Sequence, residues 1–396
     1  MKKKFLFTSL FALGMLSAPV FFASCDDSSN DSNKEQNDDD EDGQEAFVCI
    51  EQILDGCNEI ANEVGESKIG DPISLWESGD KTKALYAVES WYSYHSREDY
   101  RNNIYSVRNA YYGSRDGKVA ANSLASIIVA NNPELDAQVK AAINEAADAI
   151  WAIPDPFRNN IACDEAKTAQ EKCNTLKETI KTLKSYIEKS TAINKNSVLD
   201  PIIKSYVENV VKPTYKDLMD GNSNLFDKVS AFKNNPTDDN FKAVAQAWLD
   251  ARQPWETSEA FLFGPVDAEG LDPNMDSWPL DQDNIVNILN SGNFDNLNWV
   301  DGDSDDDIEA KQGIRGFHTL EFLTFRNGVA RTTHDVAESA NAADIVYNSA
   351  NAASWANYMY QVAYLLKKDA ADLYNYWTVS YKNGKSFADM FLSHDF

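Results

Sequence analysis

Apolar positions along this chain recur every three to four residues, and almost nowhere every second residue. "TLKETIKTLKSYIEKS" puts Leu176, Ile180, Leu183 and Ile187 on one helical face. "NPELDAQVKAAINEAADAIWAIPDPF" begins at a proline and carries Leu135, Val139, Ile143, Ala146 and Ile150, until Pro154 and Pro156 forbid further helix. "SWANYMYQVAYLLKKDAADLYNYW" repeats the pattern with Trp355, Met359, Val362, Leu366, Leu373 and Trp377. Such periodicity predicts an all-α fold of helices packed as bundles. Loops are expected at "RQP" around Pro254, at "FGPVDAEGLDPNMDSWP" and at "NSGNFDNLNWVDGDSDDDIEAKQG". No short fixed-period repeat is evident.

The 396 residues suffice for one large or two ordinary domains. The net charge of −27 makes nucleic acid and anionic membrane surfaces poor partners and cations good ones. "MKKKFLFTSLFALGMLSAPVFFASC" has the charged start, apolar core and small-residue end of an export signal. Its "FFASC" resembles the lipobox of bacterial lipoproteins, which implies a signal peptide over 1–24 and a lipid on Cys25. Residues 25–45 are acidic and almost free of apolar side chains, the composition of an unfolded tether. Acidic residues directly after a lipidated cysteine also resemble a surface-export signal. The expectation is a protein of the bacterial cell envelope, lipid-anchored to the outer membrane and open to surface display. Cys49, Cys57, Cys163 and Cys173 permit two disulfides in an exported chain. On one helix Cys49 and Cys57 would stand about 12 Å apart, too far to bridge each other.

Four clusters carry candidate chemistry. In "GFHTLEFLTF", His318 and Glu321 share a helical face inside an apolar run, and Gly316 permits close approach of another group. Imidazole and carboxylate suit zinc or ferrous iron, but a third ligand must come from elsewhere. No HExxH zinc-protease motif is present, and a simple His–Glu contact tying helices together explains the spacing equally well. In "AWLDARQPWETSEAF", Trp248, Arg252, Trp255 and Glu259 fall on one helical face, with Pro254 set to kink it and Ser258 beside it. That stripe fits a cleft wall or an ion-pair network at an interface. Glu89, Ser93, His95, Ser96 and Asp99 crowd a helix start, with Ser96 as the expected N-cap; nearness in sequence does not make a Ser-His-Asp triad. Finally, Asp301–Glu309 alternates aspartates, but Asp306 and Gln312 stand where a calcium loop needs glycine and glutamate, so a solvated loop is expected there. His334 and His394 have no evident partners.

"GFHTLEF" matches the GxHxxE signature of the imelysin family, and "AWLDARQPWETSEAFLFGP" followed by "SWPLDQDNIVNIL" is similar to the segments preceding it. The chain resembles a circular permutant of that family. "YSYHSREDYRNNIYSVRNAYYG" and "LDAQVKAAINEAADAIWAIPDPF" resemble segments that usually follow GxHxxE, whereas "SVLDPIIKSYVENVVKPTYKDLMDG" resembles the usual mature N-terminus. The old termini would then be joined through roughly 159–196. In "YSYHS", Ser93 and Ser96, with Asp99 and Asn102 beyond, keep the family pattern, while Tyr94 and His95 depart from it.

The resemblance implies an all-α, imelysin-like fold of two packed helical bundles: 46–190 completed by 313–396, and 197–300. It implies an exported, lipidated protein tied to iron acquisition, working with other envelope iron-uptake proteins. On this reading the protein binds a metal ion (iron or zinc) or an iron-bearing ligand at an inter-domain cleft. His318, Glu321 and Glu259 would be ligands, and Arg252, Trp255, Ser258, Gly316, Ser93, Ser96 and Asp99 would line the site. The membrane is touched through the lipid alone. The rival reading is an M75-type metallopeptidase with Glu321 or Glu259 as base. A third is a purely structural or adhesive lipoprotein in which the His–Glu pair only staples the bundles.

Overall fold

The computed structural model describes residues 44–294, 297–298, 303–339 and 344–396. Cys25 and nearly all of the acidic segment, like Asp301 and Gly302, lie outside them. Among the described residues the fold is all-α apart from two two-residue strands, Phe325–Arg326 and Val329–Ala330, which pair antiparallel. Their turn is Asn327–Gly328, both at positive φ, the conformation an Asn-Gly hairpin turn favours.

One set of helices is Gln44–Asn62, Ser96–Tyr112, Pro133–Ala152 and Asp164–Lys189, each packed on its neighbours. Leu135, Val139, Ile143, Ala146 and Ile150, and likewise Leu176, Ile180, Leu183 and Ile187, are all buried, so the periodic faces are the packed faces. Pro133–Ala152 stops at the prolines, as expected. A second set is Lys212–Asn234, Asp238–Glu256 and Ala352–Thr378. Trp355, Met359, Val362, Leu366, Leu373 and Trp377 fill the core beneath it. Each such side chain contributes roughly 1.5–3 kcal/mol by leaving water, and Leu366→Ala would cost about 2–5 kcal/mol. Among the described residues no helix is long and apolar enough to cross a membrane.

Several local expectations are corrected. The segment after Gly264 is not all loop: it forms the helices Pro265–Ala268 and Leu271–Asp276. Asp305–Gln312 is also helical, capped by Ser304 and with three aspartates in its first turn, where the helix dipole favours them. Ser96 is the first residue of its helix and not the cap, because its hydroxyl donates to the Glu89 carbonyl at 2.5 Å. The helix carrying Arg252 runs through Pro254 but ends at Glu256, so Glu259 sits beyond it in a 3₁₀ turn. His394 is not partnerless, since its Nε2 lies 3.0 Å from Asp200 Oδ1. Cys49, Cys57, Cys163 and Cys173 are free thiols. The Cys49 thiol donates to the Phe391 carbonyl at 3.2 Å, and burial pushes its pKa up to about 12.

The first helix does not simply end. It passes into a π-helical stretch, Glu63–Gly70, and resumes as Asp71–Glu77, with αR backbone at both junctions. π-turns concentrate at functional sites, and this one carries Lys68 and Glu63 into the polar centre described next.

Candidate functional site

All nine residues of Gly316–Thr324 are buried. What lets this helix start where it does is Gly316, at φ +85° with Met275 pressed against it. A Cβ there would lie 2.5 Å from the Met275 carbonyl oxygen. Gly316 is therefore a packing position: its bareness brings Leu271–Asp276 against the histidine helix and delivers Asp276 to His318.

His318 and Glu321 meet as the i, i+3 spacing predicts, with Nδ1 2.9 Å from Oε2. The other oxygen, Oε1, accepts the Ser93 hydroxyl at 2.7 Å and the backbone N–H groups of Ser93 and Tyr92 at 2.8 and 3.0 Å. The loop that supplies them is bent by Ser90 and Tyr94, both at positive φ. Gly328 braces it, donating its N–H to the Tyr92 carbonyl at 2.9 Å with the Tyr94 ring packed where a Cβ would be. Glu321 thus faces donors on both oxygens and holds the imidazole by Nδ1.

The opposite ring nitrogen, Nε2, faces a charged cluster. It lies 3.2 Å from Glu89 Oε1 and 3.2 Å from Asp276 Oδ1, and the Trp278 ring packs edge-on against the imidazole with centroids 4.8 Å apart. Arg252, 1% exposed, serves the same acids. Its Nη2 lies 2.7 Å from Glu89, 2.6 Å from Glu256 and 3.3 Å from His318 Nε2. Its Nη1 pairs with Asp276 and its Nε with Asp99, which also accepts the Ser90 hydroxyl. Lys68 reaches Glu89 at 2.6 Å and Glu63 at 3.4 Å. Trp255 donates its indole N–H to Asp276 at 2.7 Å, and Asn103 donates to Glu256 at 2.6 Å.

Eight acids stand in or beside this centre: Glu63, Glu89, Asp99, Glu256, Glu259, Asp272, Asp276 and Glu321. They face two permanent cations and one imidazole. Burial opposes charge on Glu89, but Lys68, His318 and Arg252 outweigh it and hold that carboxyl well below the usual range. Asp276 is likewise lowered, against its burial, by Arg252 and His318. Burial and Arg252 disfavour a charged His318, yet Asp276 and Glu321 keep its pKa well above 6.5. For three other acids burial wins: Glu256, although paired with Arg252, and Glu259 are raised well above the usual range, and burial with repulsion from Asp276 pushes Asp272 up to about 8.

Two groups among the described residues offer three ligand atoms within 4.8 Å of one another: Glu89, Asp276 and His318, and Glu256, Glu259 and Asp276. Of the residues expected as ligands, His318 falls in the first group, Glu259 in the second, and Glu321 in neither. Arg252, Trp255, Ser93 and Asp99 touch the centre; Ser96 acts one step back through the Glu89 backbone. Ser258 only caps its own turn, donating to the Trp255 carbonyl at 2.7 Å. Asp276 lies in a segment that looked like loop, and its role rests on the Gly316 contact, a long-range event. Glu89 stood in a recognised polar cluster with nothing local to mark it as the acid facing His318. Glu256 was hidden by the expectation that helix continued to Glu259.

A metal-ion fit can be judged on these distances. Ligand atoms around a tetrahedral zinc-sized ion stand about 3.3 Å apart, close to the 3.2 Å that separates Nε2 from both carboxylates. A metal-binding histidine is normally held at its other nitrogen by a carboxylate, as Glu321 does here. Glu89, Asp276 and His318 therefore fit such an ion, and a bound ion would supply Lewis acidity there. Arg252 meanwhile occupies the same oxygens, keeping the acids together as a built-in countercharge.

The chain matches the model of the imelysin (peptidase M75) family over residues 28–183 and 211–395. It is 54% identical to an imelysin peptidase from Bacteroides ovatus of known crystal structure, over 72% of this chain and 82% of that one, with a TM-score of 0.72. It is also 32% identical over 129 residues to iron-regulated protein A of Synechococcus elongatus (strain ATCC 33912 / PCC 7942 / FACHB-805), spanning 32% of each chain, about a third of that relative's length. A similar structure from Parabacteroides distasonis ATCC 8503, assigned as an iron-regulated protein A precursor, is 32% identical over 49% of each chain with a TM-score of 0.42. With most of the chain matched and its helical fold shared, this protein belongs to the imelysin family.

Proposed function

We propose that this imelysin-family protein is an exported, lipid-anchored envelope protein that binds a transition-metal ion through His318, Glu89 and Asp276 in the service of iron acquisition. The observation that carries the reading is the geometry at Nε2: two carboxylates 3.2 Å away, with the ring fixed from behind by Glu321. One imidazole and two carboxylates suit ferrous iron or zinc. The iron connection is supported by the name of the Synechococcus relative, iron-regulated protein A, and export by the signal-like N-terminus. His318, Glu89 and Asp276 would hold the ion, with Nε2 free of its proton, and Arg252 would stay paired with Asp99 and Glu256. Calorimetry with Fe²⁺ and Zn²⁺, plus elemental analysis, tests this: one tightly held ion lost in His318→Ala is expected. Equal binding by wild type and His318→Ala, or none by either, refutes it.

A metallopeptidase is the second reading, supported by the Bacteroides ovatus relative's description as a peptidase. Glu321 is a poor base because both its oxygens already face donors. Glu259, which no hydrogen-bond donor reaches among the described residues, is the better one. Chelator-sensitive proteolysis abolished by Glu259→Gln would establish this reading, and its absence in metal-loaded protein would end it.

A further inference from the structure

The second acidic group is a strange thing to bury. Glu259 is 7% exposed, yet no hydrogen-bond donor or ion-pair partner reaches its carboxyl among the described residues. Its neighbours Glu256 and Asp276 are acids too, each with an oxygen within 4.8 Å of the others. Beside them Asn103 is fully buried, and its amide is turned to Glu256: Nδ2 donates to Oε2 at 2.6 Å and to the Glu256 carbonyl at 3.3 Å. The other end of that amide, Oδ1, is buried with no partner at all. Buried acceptors without donors are rare and costly. Here the Asn103 amide oxygen is left so, and among the described residues the Glu259 carboxyl has no hydrogen-bond donor, with Lys68 as an opposing charge, while Glu89, Asp99 and Asp276 are all paired.

We propose that the centre takes two cations, with Asp276 shared between them. The first lies at His318, Glu89 and Asp276, so this inference rests on the metal-binding reading above. The second lies at Glu256, Glu259 and Asp276, beside the Asn103 amide that Glu256 holds by its Nδ2. Asp276 suits the shared position because its two oxygens point apart: Oδ1 toward His318 and Arg252, Oδ2 toward the Trp255 indole. The second position offers oxygen only, a donor set for hard divalent ions such as Mn²⁺, Mg²⁺ or Ca²⁺. The first, with its imidazole, suits softer Zn²⁺ or Fe²⁺. Charge agrees with the count. Two divalent ions offset four of the acidic charges that Lys68 and Arg252 leave unbalanced, and burial makes such balance necessary.

Mn²⁺ alone is the probe, on the whole chain, read by metal content after gel filtration and by electron paramagnetic resonance. Wild type should hold two ions and give the exchange-coupled signal of a manganese pair. Glu259→Gln should hold one and show an uncoupled spectrum; because Glu259 has no hydrogen bond to lose, its circular dichroism and melting should stay near wild type. His318→Ala should also hold one, now on the acidic side. Asn103→Leu should weaken only the second ion, by tenfold or more. A wild type holding one ion, lost in His318→Ala and kept in Glu259→Gln, would overturn the second site and leave the first standing. No bound ion would end both. Two ions unaffected by Glu259→Gln would place the second elsewhere and overturn the inference.

Discussion

Glu321 and Glu259 are both buried glutamates of one polar centre, and the fold treats them in opposite ways. Four groups converge on Glu321: an imidazole nitrogen, a serine hydroxyl and two backbone amides. Among the described residues no hydrogen-bond donor reaches Glu259, which stands beside the acids Glu256 and Asp276 with Lys68 as its opposing charge. Desolvating a carboxyl costs several kcal/mol unless hydrogen bonds replace water. One end of the centre is completed by protein groups; the other is not, and that is where the second cation is proposed. Arg252 stands between them and holds acids of both ends.

The largest effect should come from removing that bridge. Arg252→Met leaves Glu89, Asp99, Glu256 and Asp276 without their common cation, and a broken buried ion pair costs about 3–5 kcal/mol. Denaturant unfolding should register the loss. If the centre is a cation site, millimolar Mn²⁺ should recover much of it, because the ion replaces the guanidinium; a loss that Mn²⁺ leaves untouched would separate the two roles.

Gly316→Ala should cost about 2–3 kcal/mol, through positive φ and the collision with the Met275 carbonyl. Asp276 would retreat from His318, so Zn²⁺ binding should weaken while unrelated packing is spared. Glu321→Gln acts on the completed end alone. It keeps the shape but weakens the grip on Nδ1, and metal affinity should fall about 10–100-fold, measured by competition with a chromogenic chelator.

The pH dependence should be smaller and has a definite sign. His318 has a raised pKa, so its contribution is whole below about 6.5 and is lost as pH climbs through the folded value. Glu256, Glu259 and Asp272, also raised, act in the same direction, Asp272 up to about 8. Metal-free protein should thus melt progressively lower from mildly acidic to alkaline pH, and Zn²⁺ should flatten that slope by taking the Nε2 position. Glu89 and Asp276, whose pKa values are lowered, oppose this only in acid, below about pH 4. A metal-free melting temperature that rises into the alkaline range would contradict the assignment. The smallest change is expected of Glu259→Gln, within about 1 kcal/mol of wild type and of either sign, since it loses no hydrogen bond and relieves repulsion.

What could be read from the residue order follows the same division. The packed faces of Pro133–Ala152, Asp164–Lys189 and Ala352–Thr378 were legible because a helical face is a local periodicity. The His318–Glu321 contact was legible for that reason too, and so was Arg252 as the odd charge among tryptophans. Asp276 was not, because its distance from His318 depends on a glycine forty residues downstream in the chain. Nor was Glu89, joined to Lys68, Arg252 and His318 from three other segments. Glu259 was placed wrongly along its helix because propensity continues past Glu256 while the helical hydrogen bonds end at Thr257.

The stretch Glu63–Gly70 adds a last consequence. Its closing bond runs five residues back, from the Asp71 N–H to the Glu66 carbonyl, one more than a regular turn allows. Such a turn is an α-helix with a supernumerary residue, and the excess can be taken out. Deleting one residue before Lys68 should let the segment from Gln44 to Glu77 run as uninterrupted α-helix. The wide turn absorbs that extra residue, so the helix beyond Gly70 would keep its facing after the cut. What the turn contributes is the spacing of Glu63 and Lys68: five positions apart, they would stand about 140° apart on a regular α-helix, yet here their side chains meet at 3.4 Å.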